Sequence, residues 1–108
     1  MEPVLSAMDK PLNVGDFVVS VSNKNGFIEV TKGIVTKIPD DGEYTKVKVI
    51  YTYGERYMYG KPYPGNMSLD KIALKTVYGR TLVPVQDVQD DIDFQAVIAS
   101  DKYKKIFG

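Results

Sequence analysis

The sequence predicts a mainly β domain, a small sheet or barrel followed by one carboxy-terminal helix. Three observations predict it. Apolar and polar residues alternate through 17–22 and again through 44–53, the two-residue period of a strand. Turn residues recur at close spacing between those runs. From Asp90 onward the apolar spacing lengthens to that of a helix. The chain has 108 residues, 44% hydrophobic and 26% charged, which is the size and composition of one globular domain. It divides into an amino-terminal arm, 1–12, a β domain, 13–86, with a tyrosine-rich insertion at 54–67, and a helical segment, 87–108.

Pro3 and Pro11 oppose regular structure, so the arm is expected to be loosely held. Phe17, Val19 and Val21 alternate with Val18, Ser20 and Ser22, giving a first strand with one mostly apolar face. Asn25-Gly26 accepts positive φ and predicts a tight hairpin into a second strand, 27–38. Gly33 lies inside that strand, where a glycine predicts a bulge or a bend. "PDDGEY", residues 39–44, is a second turn. The third strand, 44–53, sets Val47, Val49, Tyr51 and Tyr53 on one face and Lys46, Lys48, Ile50 and Thr52 on the other. "YTYGERYMY" then reads as a near-symmetric hairpin about Gly54, Glu55 and Arg56. "KIALKTV" and "RTLVPV" are two further short apolar segments with a turn at 78–80, and Pro84 predicts that the last is an edge strand or ends early. Asp90 or Asp91 caps one amphipathic helix of up to about five turns, acidic at its start and lysine-rich at its end as the helix dipole favours. Phe94, Val97 and Ile98 begin its apolar stripe, and Asp101 interrupts it. Left uncovered by the sheet, that stripe is a docking or dimer surface.

These segments resemble the small five-stranded SH3-like barrel of KOW- and Tudor-type domains. Gly15, Asp16 and Val18 match the family's Gly-Asp-x-Val entry to the first strand. Gly33, Val35 and Ile38 match its second-strand glycine followed by x-Val-x-x-Ile, and Val47 and Val49 match its Val-x-Val third strand. The resemblance covers about residues 13–53. The first connection lacks the compact glycine-lysine-glycine pattern of KOW motifs, and the minimal family has no counterpart to 54–67. The resemblance implies a binding module, directed at nucleic acid, at transcription or ribosome machinery, or at modified peptides.

The chemistry of the residues agrees with binding. Without histidine or cysteine, the chain lacks the commonest general base, the thiol nucleophile and both usual zinc ligands. No Walker-type loop or dinucleotide fingerprint is present. Asp40-Asp41 reads as a turn, and Asp90, Asp91 and Asp93 as a helix start. No catalytic activity, cofactor or metal is expected. There is no apolar run long enough to span a membrane and no secretory signal, and the absence of cysteine suits a reducing cytoplasm.

Basic and acidic residues balance at 14 each, but 10–85 holds eleven basic and seven acidic residues, a net of +4. Five of the eight tyrosines lie in 51–65, near Lys48, Arg56 and Lys61. Rings that stack on bases beside cations that meet phosphates are what single-stranded nucleic acid requires. Tyrosines also stabilise hairpins by cross-strand pairing, and both roles stand. The candidate contact residues are Lys24, Asn25, Lys32, Lys48, Arg56, Tyr57, Tyr59, Lys61 and Tyr63. The expected function is a non-catalytic, cytoplasmic accessory protein that binds nucleic acid or a nucleoprotein complex, with no membrane partner. The alternative is a protein-protein adaptor or inhibitor, of a viral, phage or mobile-element kind, that presents the tyrosine loop to a host protein.

Overall fold

Six strands form one antiparallel sheet in a computed structural model that describes residues 4–24, 27–38, 46–58, 61–62 and 72–108, with backbone alone at 24, 27, 53–58 and 61–62. β1 (Phe17–Lys24), β2 (Phe27–Lys37) and β3 (Lys46–Met58) make its centre. β4 (Lys61–Pro62) and β5 (Ala73–Tyr78) both lie along the outer side of β3, and β6 (Val83–Pro84) lies along the outer side of β1. Among the described residues no pairing joins β5 to β6, so the sheet is open. A 3-10 turn, Gly79–Thr81, links these two strands where a turn is expected. β6, with Pro84, is an edge strand among the described residues.

Lys24 pairs with Phe27 across Asn25-Gly26, two residues that lie outside the described ones. β2 and β3 stay paired over most of their length, with two shifts of register. In the first, Val30 pairs Glu55 and Thr31 pairs Tyr53, leaving Gly54 as the extra residue. In the second, Val35 pairs Val49 and Lys37 pairs Lys48, leaving Thr36 extra, and its hydroxyl donates to the Lys48 carbonyl at 3.2 Å. Two expectations are corrected. Gly54–Arg56 is not a hairpin: β3 runs through it, because a single glycine here accommodates a bulge without turning the chain. Residues 54–58, expected in an insertion, therefore continue a central strand. Of the bulge or bend expected at Gly33, the register shows no bulge, since Gly33 pairs in step with Val18 and Tyr51. A Cβ there would lie 2.7 Å from the Ile50 carbonyl oxygen and 3.1 Å from the Tyr51 Cβ, so the residue serves close approach of β2 to β3.

Both faces of the sheet are buried, each by a different part of the chain. Val18, Val35, Val47 and Val49 point to one face, where Val4, Leu12 and Leu82 cover them. Ile34 and Ile50 point to the other, where Phe94 and Val97 cover them and Phe17 and Val19 pack alongside. Phe17 and Val19 share one face of β1, as alternation assigns them, and pack against the second cluster, while Val18 on the other face is buried in the first. Tyr51 packs against the first cluster, on the Val47–Val49 side that alternation assigns it.

The expectation of a loosely held arm is also corrected over 4–12. Val4 and Leu12 are 2% and 3% exposed, and the Leu12 amide donates to the Val4 carbonyl at 2.9 Å. The Ala7 amide donates to the Leu82 carbonyl at 2.9 Å, and the buried Ser6 hydroxyl accepts from the Met8 amide at 3.1 Å. The proline pattern is silent about such bonds, which are made by backbone and one hydroxyl. At the entry to β1, Gly15 takes φ +97° and donates its amide to the Val35 carbonyl at 2.8 Å, and Asp16 accepts from the Asn13 amide at 2.8 Å. Positive φ is what requires glycine there.

The carboxy-terminal segment forms two helices, α1 (Ile92–Ala99) and α2 (Asp101–Phe107), where one continuous helix is expected. Ser100, in extended conformation with φ −73° and ψ 153°, ends the first and caps the second. Its hydroxyl donates to the Val97 carbonyl at 2.6 Å and accepts from the Tyr103 amide at 3.2 Å, a local bonding pattern that competes with an unbroken helix. Asp91 is the cap of α1, accepting from the Asp93 and Phe94 amides at 2.9 and 3.2 Å. No helix among the described residues is long and apolar enough to cross a membrane.

Candidate functional site

The register sorts the lysines into three groups along β2 and β3. At one end, Lys37 pairs Lys48, Lys48 pairs Thr76, and Lys46 pairs Tyr78. Directly paired residues share a face. Lys37, Lys46, Lys48, Thr76 and Tyr78 therefore form a patch on the α1 side of the sheet, at the end where β2 stops and β3 begins. Lys37, Lys48 and Thr76 are exposed and Lys46 is half-buried, its ammonium 5.0 Å from the centre of the Tyr78 ring. Tyr78 is 55% exposed. A cation over a ring face leaves the opposite ring face available to a flat group. None of the three lysines forms an ion pair among the described residues.

Lys32 forms the middle group, and it is occupied. Its ammonium lies 2.9 Å from carboxylate oxygens of both Asp91 and Asp93, bonding β2 to the first turn of α1. Partial burial alone would lower the Lys32 pKa; hydrogen bonds to Asp91 and Asp93 outweigh it and hold it above the ordinary lysine value. Asp91 moves the opposite way. Burial favours its neutral form, but the Lys32 bond and the amides of Phe94 and Asp93 hold it below the ordinary carboxylate value.

The third group is at the far end of β3, roughly 30 Å away at the usual rise per strand residue. Lys24 pairs Phe27, Phe27 pairs Met58, and Met58 pairs Lys61, so one row crosses four strands between two lysine positions. Arg56 pairs Glu29, and Tyr57 pairs both Ile28 and Pro62. The side chains of Lys24, Arg56, Tyr57 and Lys61, and all of Asn25, Tyr59 and Tyr63, lie outside the described residues. Of the residues singled out in the sequence, the backbone thus brings Lys24, Arg56, Tyr57 and Lys61 to one end, Lys48 to the other, and Lys32 between them.

Lys37, Lys46 and Tyr78 were not among those candidates. The signal for two of them was present: Lys46 and Lys48 share a face by alternation, as do Leu74, Thr76 and Tyr78. What joins them is the β3–β5 register, which no local pattern encodes. Elsewhere an open groove of about 880 Å³ lies between the arm, the loop after β6 and α1, with Phe17, Val85, Val88 and Ile98 among its apolar lining and Asp16, Asp87 and Gln95 among its polar lining. No cluster of three or more metal-ligating side chains occurs among the described residues.

No protein-family profile, curated protein sequence or solved structure matches the chain.

Proposed function

We propose that the chain is a non-catalytic binding protein of the small SH3-like, KOW- or Tudor-type barrel class, and that it contacts nucleic acid or a nucleoprotein complex. The observation that carries this reading is the exposed Lys37–Lys48 pair beside the Lys46–Tyr78 stack, three cations and a ring on one face without a neutralising carboxylate among the described residues. Such a face meets phosphates with its ammonium groups and a base with its ring. Two features support the barrel class. Strand order runs from β6 through β1, β2 and β3 to β5, and two bulges increase the twist of the central pair, which is how an antiparallel sheet begins to roll. The absence of histidine and cysteine from the whole chain supports the non-catalytic reading.

A labelled single-stranded oligonucleotide titrated at several salt concentrations tests this function. Affinity falls with salt, and each lysine that neutralises a phosphate adds about 0.7 to the logarithmic slope. Replacing Lys37 and Lys48 together by alanine lowers that slope by about 1.4 if both meet phosphates. Tyr78→Ala weakens binding at every salt concentration and leaves the slope unchanged. A flat salt dependence, or a double variant that binds like wild type, removes the proposal. Asp40, Asp41 and Glu43 lie in the connection between β2 and β3, outside the described residues. Replacing them by Asn and Gln raises affinity on this reading, since they carry the opposite charge next to the lysines in sequence.

The 880 Å³ groove favours the second reading, a protein-protein adaptor, because its mixed apolar and polar lining and its size leave room for several side chains of a partner segment. Capture from cell extract with and without nuclease separates the two: partners lost on nuclease treatment belong to the nucleic-acid reading, and partners retained belong to the adaptor.

A further inference from the structure

β5 presents an edge that is complementary to itself. It pairs with β3 on one side, and among the described residues no strand pairs with its other side. Edge strands of soluble proteins usually carry a guard against pairing: proline, a bulge, very short length or charged side chains, lysine above all, of which β5 has one. β5 has six residues, no proline and an unbroken register with β3. Its one charge, Lys75, lies on the face of Val77 and Ala73, with its ammonium 4.5 Å from the centre of the Tyr51 ring. The other face carries Leu74 and Tyr78, 52% and 55% exposed, with exposed Thr76 between them.

We propose that β5 pairs with β5 of a second copy of this chain, antiparallel and centred on Thr76. A two-fold axis at that residue sets Thr76 opposite Thr76 and Leu74 opposite Tyr78 of the second copy. Opposed residues share a face, so the pairing makes two aliphatic–aromatic contacts and one hydroxyl pair from side chains that are otherwise in water. On the opposite face Lys75 meets Val77 of the second copy, and no like charges oppose each other. The neighbouring registers lack these matches. Centring on Lys75 opposes two ammonium groups, and centring on Val77 runs Leu74 against Arg80, beyond the strand and inside the 3-10 turn. The self-complementary order of Leu74, Thr76 and Tyr78 therefore selects an identical strand as the occupant, and Lys75 and the 3-10 turn select the register.

The pairing would extend the row Lys37, Lys48, Thr76 into Thr76, Lys48, Lys37 of the second copy on one continuous sheet face. At the usual strand spacing the two Lys48 positions lie roughly 14 Å apart. That exceeds the Debye length of about 8 Å at physiological ionic strength, so their repulsion is well screened. The dimer itself does not depend on the nucleic-acid reading.

The chain contains no cysteine, so one introduced thiol reports on one position. Thr76→Cys is expected to give a disulfide-linked dimer on mild oxidation, and Lys48→Cys is expected to stay monomeric, because linked cysteines need Cα atoms within about 7 Å. Leu74→Cys and Tyr78→Cys are each expected to stay monomeric alone and to cross-link when mixed. Sedimentation equilibrium of the wild-type chain shows mass rising toward two chains with concentration, and Leu74→Asp, at an exposed position, abolishes the rise. A Thr76→Cys chain that stays monomeric overturns the proposal, as does equal cross-linking through Lys48→Cys or a wild-type mass of one chain at all concentrations. These readouts contain no nucleic acid, so their failure is distinct from failure of the salt titration.

Discussion

The two faces of the sheet are covered by opposite ends of the chain, and backbone bonding to the rest of the fold contributes to one cover more than to the other. Over Val18, Val35, Val47 and Val49 lies the arm: Val4 and Leu12 sit within the cluster, the Ala7 amide donates to the Leu82 carbonyl, and the Arg80 side chain pairs with Asp9. Over Ile34 and Ile50 lies α1, held by side chains: Phe94 and Val97 within the cluster, and Lys32 bonded to Asp91 and Asp93 outside it. A cover held by side chains must write itself into the sequence as spacing and complementary charge. The backbone part of the arm's bonding, Ala7 to Leu82, need not, since any non-proline residue supplies the same donor and acceptor.

The sharpest way to break this comparison is at Phe94. Its ring is 2% exposed and meets Phe17 edge to face, with centroids 5.5 Å apart and planes at 87°. If α1 is a structural cover, Phe94→Ala costs about 3–5 kcal/mol, read as a lowered urea midpoint. If α1 were a detachable docking helix, the loss would stay within about 0.5 kcal/mol, the range of surface substitutions.

Gly79 is the corresponding place on the other face. A Cβ there would lie 2.5 Å from the Val4 Cγ1 and 2.7 Å from the Leu5 carbonyl oxygen. The backbone oxygen cannot swing aside as a side chain can, so Gly79→Ala must lift the arm. We expect a loss of about 1–3 kcal/mol, typical of overpacking. Amide exchange at Ala7 and Leu12 should accelerate in the same variant, because the first bonds the arm to Leu82 and the second closes the arm on Val4, the residue the new Cβ displaces. Unchanged stability and unchanged exchange would return the arm to the loosely held segment that its prolines suggest.

What was legible in the sequence follows the same division. Alternation assigned Val47, Val49 and Tyr51 to one face and Ile50 to the other, and the Asn25-Gly26 pair anticipated the pairing of Lys24 with Phe27. Asp91 was recognisable as a cap because its chemistry is local. The arm was misread because a backbone bond to Leu82 and an ion pair between Asp9 and Arg80, 71 residues apart, fasten it, and neither has a local trace. The run through Gly54 was misread because a glycine between tyrosines serves a turn and a bulge equally, and only the β2–β3 register separates them. The break at Ser100 had a local signal, serine followed by aspartate, which favours a new helix start. Within the candidate site, Lys48 was visible by alternation, but its neighbours Lys37 and Tyr78 come from other strands. The partnership of Lys32 with Asp91 and Asp93 spans 59 and 61 residues and has no local trace.

That partnership gives the smallest expected effect and the most specific signature. Lys32→Met keeps the aliphatic stem and removes the charge. The lysine is 17% exposed and its partners 27% and 23%, between the surface pairs worth under about 1 kcal/mol and the buried pairs worth several. We expect a loss of about 1 kcal/mol at neutral pH, discounted for solvent screening. The pH dependence identifies its source. Asp91 titrates below 3.8 in the folded chain, so its contribution is present above 3.8 and disappears as pH falls through the lower folded value. Lys32 titrates above 10.5 when folded, so its contribution is present below 10.5 and disappears as pH rises through the higher folded value. The stability difference between wild type and Lys32→Met should therefore be level across neutral pH and shrink at both extremes. A difference that persists unchanged into acid would show that the loss does not come from the ion pair, and α1 would then be held by its apolar contacts alone.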